Sequence, residues 1–233
     1  MRRKSVAQLV GVEKSYRIGG IEVHALKGVT LSFFSGEFAS VVGSTGSGWP
    51  TLLSIIACLS RPSSGRVVVA GTNVTRAGED QLDELRLRKI GFLSQAFNLI
   101  PNMTAFENIE LALRMAGTVD GSIEEKVGEM LSSVGLEGKE TEIPRKLSRL
   151  EAIRLAIAKS LANDPVLLVC DDPTANLEDE EAAQIIGLLG KFNQEMGTTV
   201  VLGTGNLEIA ARTKRVIGMA NGRTVPAASL EDD

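Results

Sequence analysis

At 233 residues, 43% of them hydrophobic, the chain suits one globular α/β unit with enough apolar mass for a substantial core. Its 25 basic and 29 acidic residues leave a net charge of −4, and no basic block extends beyond Arg2-Arg3-Lys4, so the charge pattern gives no case for nucleic acid as a partner. One histidine, His24, and two cysteines, Cys58 and Cys170, are too few for a zinc site, no apolar run reaches the roughly 20 residues that span a bilayer, and the charged start lacks the apolar core of a signal peptide, which reads as a cytoplasmic chain.

Short β-rich segments come first, at residues 8–12, 29–33, 38–42 and 66–69, separated by turn residues such as Ser35-Gly36-Glu37. After the third, Gly43-Ser44-Thr45-Gly46-Ser47-Gly48-Trp49-Pro50-Thr51 has the glycine spacing of a phosphate-binding loop, G-x-x-x-x-G-K-[ST]. The apolar strand before it and a predicted helix over 51–57 after it supply the context that such a loop needs. In that pattern the glycines let backbone N–H groups curl around a phosphate, the lysine reaches the β- and γ-phosphates, and the hydroxyl ligates Mg²⁺. Here Trp49 stands at the lysine position and Pro50 at the hydroxyl position. Losing the lysine removes a charge-assisted contact of about 1.5–3 kcal/mol. Pro50 has no N–H to offer a phosphate and biases Trp49 toward extended geometry. Thr51 supplies a metal-binding hydroxyl only if the register slips. Proline is tolerated in a first helical turn, so the helix itself is expected to form.

A polar helix, about 79–89, leads to a short strand at 90–93. From 98 to 162 the pattern is helical, with three S/T-x-x-E capping signals: Thr104 with Glu107, Ser122 with Glu125, and Ser148 with Glu151. The alternation of strand and helix then resumes with a buried strand at 166–170, a helix at about 178–195 and a strand at 198–202. Asn206 is placed to cap a further helical turn. Such alternation argues for a mostly parallel sheet covered on both faces. Cys58, within the helix after the loop, and Cys170, at a strand end, read as small buried hydrophobes.

Several stretches occur in the order found in one family: Lys14-Ser15-Tyr16, His24-Ala25-Leu26-Lys27-Gly28-Val29, Gln95-Ala96-Phe97-Asn98-Leu99-Ile100-Pro101 and Asp171-Asp172-Pro173-Thr174-Ala175-Asn176-Leu177. Over nearly its whole length the chain resembles the ATP-binding subunit of ABC transporters, in particular the lipoprotein-releasing and macrolide-export type. The resemblance implies an α/β P-loop NTPase fold with a mostly parallel core sheet, an N-terminal antiparallel β subdomain and an inserted helical subdomain. Residues 1–97 and 163–233 would form the ATPase-type core with the β subdomain, and 98–162 the helical subdomain. It also implies ATP and Mg as cofactors, a membrane permease subunit as partner, and a peripheral position on the inner face of the cell membrane. Two such subunits, as a homodimer or a heterodimer, would pair head to tail, each ATP lying between one phosphate loop and the other subunit's signature helix. Carried over by position, Tyr16 would stack on adenine, Gln95 would reach Mg²⁺ and the attacking water, and Asp171 would hold Mg²⁺ through water.

Other positions depart from the family's pattern. The signature Leu-Ser-Gly-Gly-Gln is Leu147-Ser148-Arg149-Leu150-Glu151, which puts bulk and a negative charge where backbone would approach a phosphate. Ser148 and Glu151 can close on each other as a capping box. Arg149 could supply a cation, but an exposed arginine reads first as a solvated one. Asp172 replaces the glutamate that acts as general base, one methylene short for a group that must come within about 2.6–3.2 Å of its proton or act through a water. Glu178 replaces the aspartate of the following loop, and Gly205 stands at the histidine position. Three readings remain: an active transport ATPase, a non-hydrolysing structural or regulatory partner of a permease, and a sequence whose function was lost or removed. Because both the loop and the signature depart, the chain would compromise both composite sites of a pair. The expectation is therefore an ATP-binding subunit that once coupled ATP to export or release, binding ATP weakly, with hydrolysis absent or severely reduced.

Overall fold

A long hairpin opens the fold, β1 (Ser5–Ile18) and β2 (Ile21–Phe34), turning at Gly19-Gly20. Both turn residues have positive φ, 57° and 84°, the geometry of a two-residue turn whose twist matches its strands and which favours residues without a Cβ. Then follow β3 (Phe38–Val42), α1 (Trp49–Ile56), β4 (Ser64–Val69), β5 (Thr72–Asn73), α2 (Glu79–Arg88) and β6 (Ile90–Leu93). Three helices come next, α3 (Ala105–Met115), α4 (Ile123–Ser133) and α5 (Arg149–Leu161). The chain closes with β7 (Leu167–Asp171), α6 (Asp179–Met196), β8 (Thr199–Thr204), α7 (Leu207–Ala210), β9 (Arg215–Ala220) and β10 (Arg223–Val225). This computed structural model describes residues 4–230; Arg2 and Arg3 of the basic start lie outside the described residues.

The strands form two sheets. One is antiparallel, in the order β2-β1-β4-β5. The other has the order β10-β9-β3-β8-β7-β6, parallel except for β10. β3 and β8 are buried along their whole length at the middle of this sheet, which is why their sequences are near-continuously apolar or small. Side chains of successive residues feed opposite cores. Ala39, Val41, Val169 and Val201 pack with α1 and the antiparallel sheet, while Phe38, Leu168, Cys170, Val200 and Leu202 pack with the helices α3 to α6. The expected α/β architecture, with its antiparallel β unit and helical insertion, is the one found.

Several local expectations change. α1 begins at Trp49, so Pro50 does not hold Trp49 extended. A proline at the second helical position forfeits an N–H that has no intrahelical partner anyway, and the Leu52 N–H reaches the Gly48 carbonyl at 3.0 Å. Cys58 lies beyond the end of α1 with φ of 59°, though it is buried as expected, and burial pushes its thiol up to about 11. Ser122 does not cap α4. A 3₁₀ turn, Asp120–Ser122, runs straight into the helix, so Ser122 is not in the extended conformation of a cap and its hydroxyl donates to the Val119 carbonyl at 3.0 Å. The boxes at Thr104 and Ser148 form, and Asn206 caps α7. β9 and β10 went unread in the sequence, although Asn221-Gly222 between them is a strong hairpin signal.

Candidate functional site

The glycine loop leaves β3 at Gly43 and enters α1 at Trp49. Gly48 has φ of 98°, and a Cβ there would lie 2.3 Å from the Ala25 carbonyl oxygen, so glycine is required on both counts. The Ser47 carbonyl accepts from the Gly222 N–H at 2.9 Å, and the Gly222 carbonyl accepts from the Lys27 N–H at 2.8 Å. Two backbone bonds therefore tie the loop through the β9–β10 turn to β2. Ser44, Thr45 and Gly46 are exposed, while Ser47, Gly48 and Trp49 are buried. The Ser47 hydroxyl is buried without a hydrogen-bond partner among the described residues.

Trp49 is only 8% exposed, and its indole Nε1 donates to the Gly43 carbonyl at 3.1 Å. The ring lies against β8 at Gly203, where a Cβ would come within 2.5 Å of ring atoms Cε3 and Cζ3. The absent side chain at Gly203 is what gives the indole room. Trp49 thus spans from the first residue of the loop to the neighbouring strand within its own chain. Pro50 is exposed and Thr51 half-buried at the start of α1, in the register that the sequence predicts. Residues 43–51 contain no lysine or arginine.

Asp171 ends β7, and Asp172 follows with φ of 47°. Burial raises the pKa of both carboxyls above the usual aspartate range. The charge of Asp172 raises Asp171 further, whereas the Thr204 hydroxyl, donating to Asp172 Oδ1 at 3.1 Å, opposes the rise at Asp172. A carboxyl whose pKa is higher folded than unfolded stabilises most when protonated, and that contribution is lost as pH rises above the ordinary aspartate range. Gln95, Asp172, Asn176, Asp179, Thr204 and Gly205 line a cleft of about 430 Å³. The fold therefore brings Gln95 and Asp172 to one cleft, with Gly205 offering no side chain there. Tyr16 is on the other sheet, exposed, with Lys14 Nζ 5.0 Å from its ring centroid. No cluster of three or more histidine, cysteine or acidic side chains suited to a metal occurs among the described residues.

At the start of α5 the Glu151 N–H donates to Ser148 Oγ at 3.2 Å and the Ser148 N–H to Glu151 Oε2 at 2.8 Å. The backbone of Ser148, then Lys139 at 3.3 Å, holds the Glu151 carboxyl below its usual pKa. The helix start is closed on itself, as the sequence suggests. Arg149 differs from expectation: though exposed, it is engaged, with Nη2 donating to the Ala175 carbonyl at 2.9 Å and its guanidinium carbon 5.5 Å from the Phe97 ring centroid. Nothing local in the sequence signals either partner, since both lie more than 20 residues away.

The ABC transporter family model matches residues 26–175, more than half of the chain. An uncharacterised ABC transporter ATP-binding protein of Thermotoga maritima is 41% identical over 220 residues, covering 94% of each chain. The macrolide export ATP-binding/permease protein MacB of Syntrophobacter fumaroxidans is 36% identical over 97% of this chain, which spans only 32% of that longer protein. Among solved structures, the dimeric post-hydrolysis state of the ATP-binding cassette MJ0796 bound to ADP and Pi superposes with a TM-score of 0.87 at 36% identity, over 94% of this chain and 97% of that one. The chain belongs to the ABC transporter family.

Proposed function

We propose that this chain is the ATP-binding-type subunit of an ABC transporter, docking on a membrane permease of the export or release type, with ATP hydrolysis absent or severely reduced. The observation that carries the reading is the Trp49 indole, packed on Gly203 and bonded to the Gly43 carbonyl where the family's lysine would serve the phosphates. The loop keeps glycine turns and backbone donors, which suit weak binding of a phosphate chain. It lacks a cation and a metal-binding hydroxyl, Gly205 replaces the histidine, and the Ser148–Glu151 box uses donors at the start of α5. These residues do not fit a tightly held Mg-nucleotide. Gln95 and Asp171 stand at the positions that would serve the metal and its water, while Asp172, at the general-base position, is a short substitute for glutamate.

The division into a core of 1–97 and 163–233 and a helical subdomain of 98–162 belongs to the same proposal. So does the docking surface, a hollow of about 250 Å³ where Phe92, Phe97, Leu111, Met115 and Lys159 meet. Its mixed apolar and basic lining suits an amphipathic helix. No helix among the described residues is long and apolar enough to cross a membrane, so membrane attachment would come through the permease. Titration calorimetry with Mg-ATP tests the reading. The expected outcome is no saturable heat in the micromolar range and a weak response in the millimolar range; saturable micromolar binding would sink it.

A further inference from the structure

Arg149 occupies the first position of α5, where the helix dipole disfavours a cation. Its placement therefore calls for a partner outside the helix, and it has two. The guanidinium lies over the face of Phe97, in the segment after β6, and donates to the Ala175 carbonyl, in the segment after β7. The segment after β6 is itself unusual: Phe97 and Asn98 are successive non-glycine residues with φ of 64° and 52°, ordinary for asparagine but, for the bulky Phe97, a conformation that its surroundings must hold. α5 supplies that constraint at both ends. Arg149 covers the Phe97 ring, and Lys159, in the last turn, donates to the Asn98 carbonyl at 2.8 Å, with burial lowering its pKa.

We infer that Arg149 is an intrachain latch that holds the start of α5, the turn around Phe97 and the loop around Ala175 as one unit without any nucleotide. Phe97 positions the guanidinium and the Ala175 carbonyl receives it. Opening the latch therefore loosens the turn and the loop together at the start of α5, while Lys159 still holds the Asn98 end. The inference goes beyond the proposed function. If that function is right, the latch also keeps this helix start turned toward its own core.

Amide hydrogen exchange of the isolated chain, without nucleotide, tests it. Arg149→Ala should speed exchange about tenfold in both 95–100 and 173–177, leaving β3 and β8 at their parental rates. Phe97→Leu should loosen 173–177 as well, and the double variant should loosen that loop no more than Arg149→Ala alone, because both changes open one latch. Arg149 is exposed, so its replacement leaves the core intact. Exchange in both segments within about twofold of the parent for Arg149→Ala would overturn the inference, as would additive loosening of 173–177 in the double variant. Because no ATP is used, these results stand apart from the calorimetric test of the proposed function.

Discussion

Trp49 and Gly203 are a size-matched pair, since any side chain at position 203 would collide with the indole. Trp49→Ala should cost about 3–5 kcal/mol, the range for truncating a buried large aromatic residue. Gly203→Val in the parent should cost about 1–3 kcal/mol through overpacking. In the Trp49→Ala background the same valine enters vacated space, and Leu53, whose Cδ1 stands as close as the ring at 2.5 Å, is free to turn aside. The double variant should therefore be more stable than the sum of the singles predicts, by at least about 1 kcal/mol. Urea unfolding of the four proteins measures this, and strict additivity would show that the pair does not interlock. A corollary follows for attempts to restore the loop: a lysine at position 49 without a larger residue at 203 leaves a void beside β8.

Helix starts show how one local motif can have two fates. Ser122 and Ser148 both begin S-x-x-E, yet only Ser148 adopts the extended conformation, φ −60° and ψ 164°, that lets its hydroxyl meet the backbone of the third helical residue. Ser122 is already within a helical turn, with φ −113° and ψ −4°. Ser148→Ala should thus lower stability by about 1 kcal/mol, whereas Ser122→Ala should stay within about 0.5 kcal/mol of the parent. Equal losses in thermal or urea unfolding would contradict the assignment. At this scale the sequence was legible in its apolar runs and in the caps at Thr104 and Ser148, but not at Ser122 or at the Asn221-Gly222 hairpin. Strands at 38–42 and 90–93 match in full, and helices at about 79–89 and 178–195 match within a residue or so. The hairpin was underestimated because the predicted strands at 8–12 and 29–33 lie within 14-residue strands whose halves nearer the turn, Leu26 excepted, are largely exposed, with Ile18, Ile21 and Val23 apolar but facing solvent.

Across the whole molecule, Gly222 links parts far apart in sequence. Its N–H serves the phosphate-type loop at Ser47 and its carbonyl receives Lys27 from β2, while β10 pairs with β9 beside it. It has φ of 79°, and a Cβ there would sit 2.8 Å from the Ala25 carbonyl oxygen. Gly222→Ala should cost about 1–3 kcal/mol in backbone strain. It should also shift the fluorescence of Trp49, the only tryptophan, because the loop loses its anchor. An unchanged emission spectrum alongside a large stability loss would show that the anchor does not set the geometry of the loop.

The sequence by itself determined the family, the α/β alternation, the glycine loop and the residues standing at its key positions, because spacing and hydrophobic period are one-dimensional quantities. It also showed the closed box at Ser148, which needs only residues within one helical turn. Only the tertiary structure decided where the substituted side chains go. The indole of Trp49 meets a strand about 150 residues away at Gly203, and the guanidinium of Arg149 reaches Phe97 and Ala175 across two other segments. Such contacts depend on how the sheets and helices stack, since packing at near-crystalline density leaves each large side chain a few places to sit, all of them set by distant neighbours.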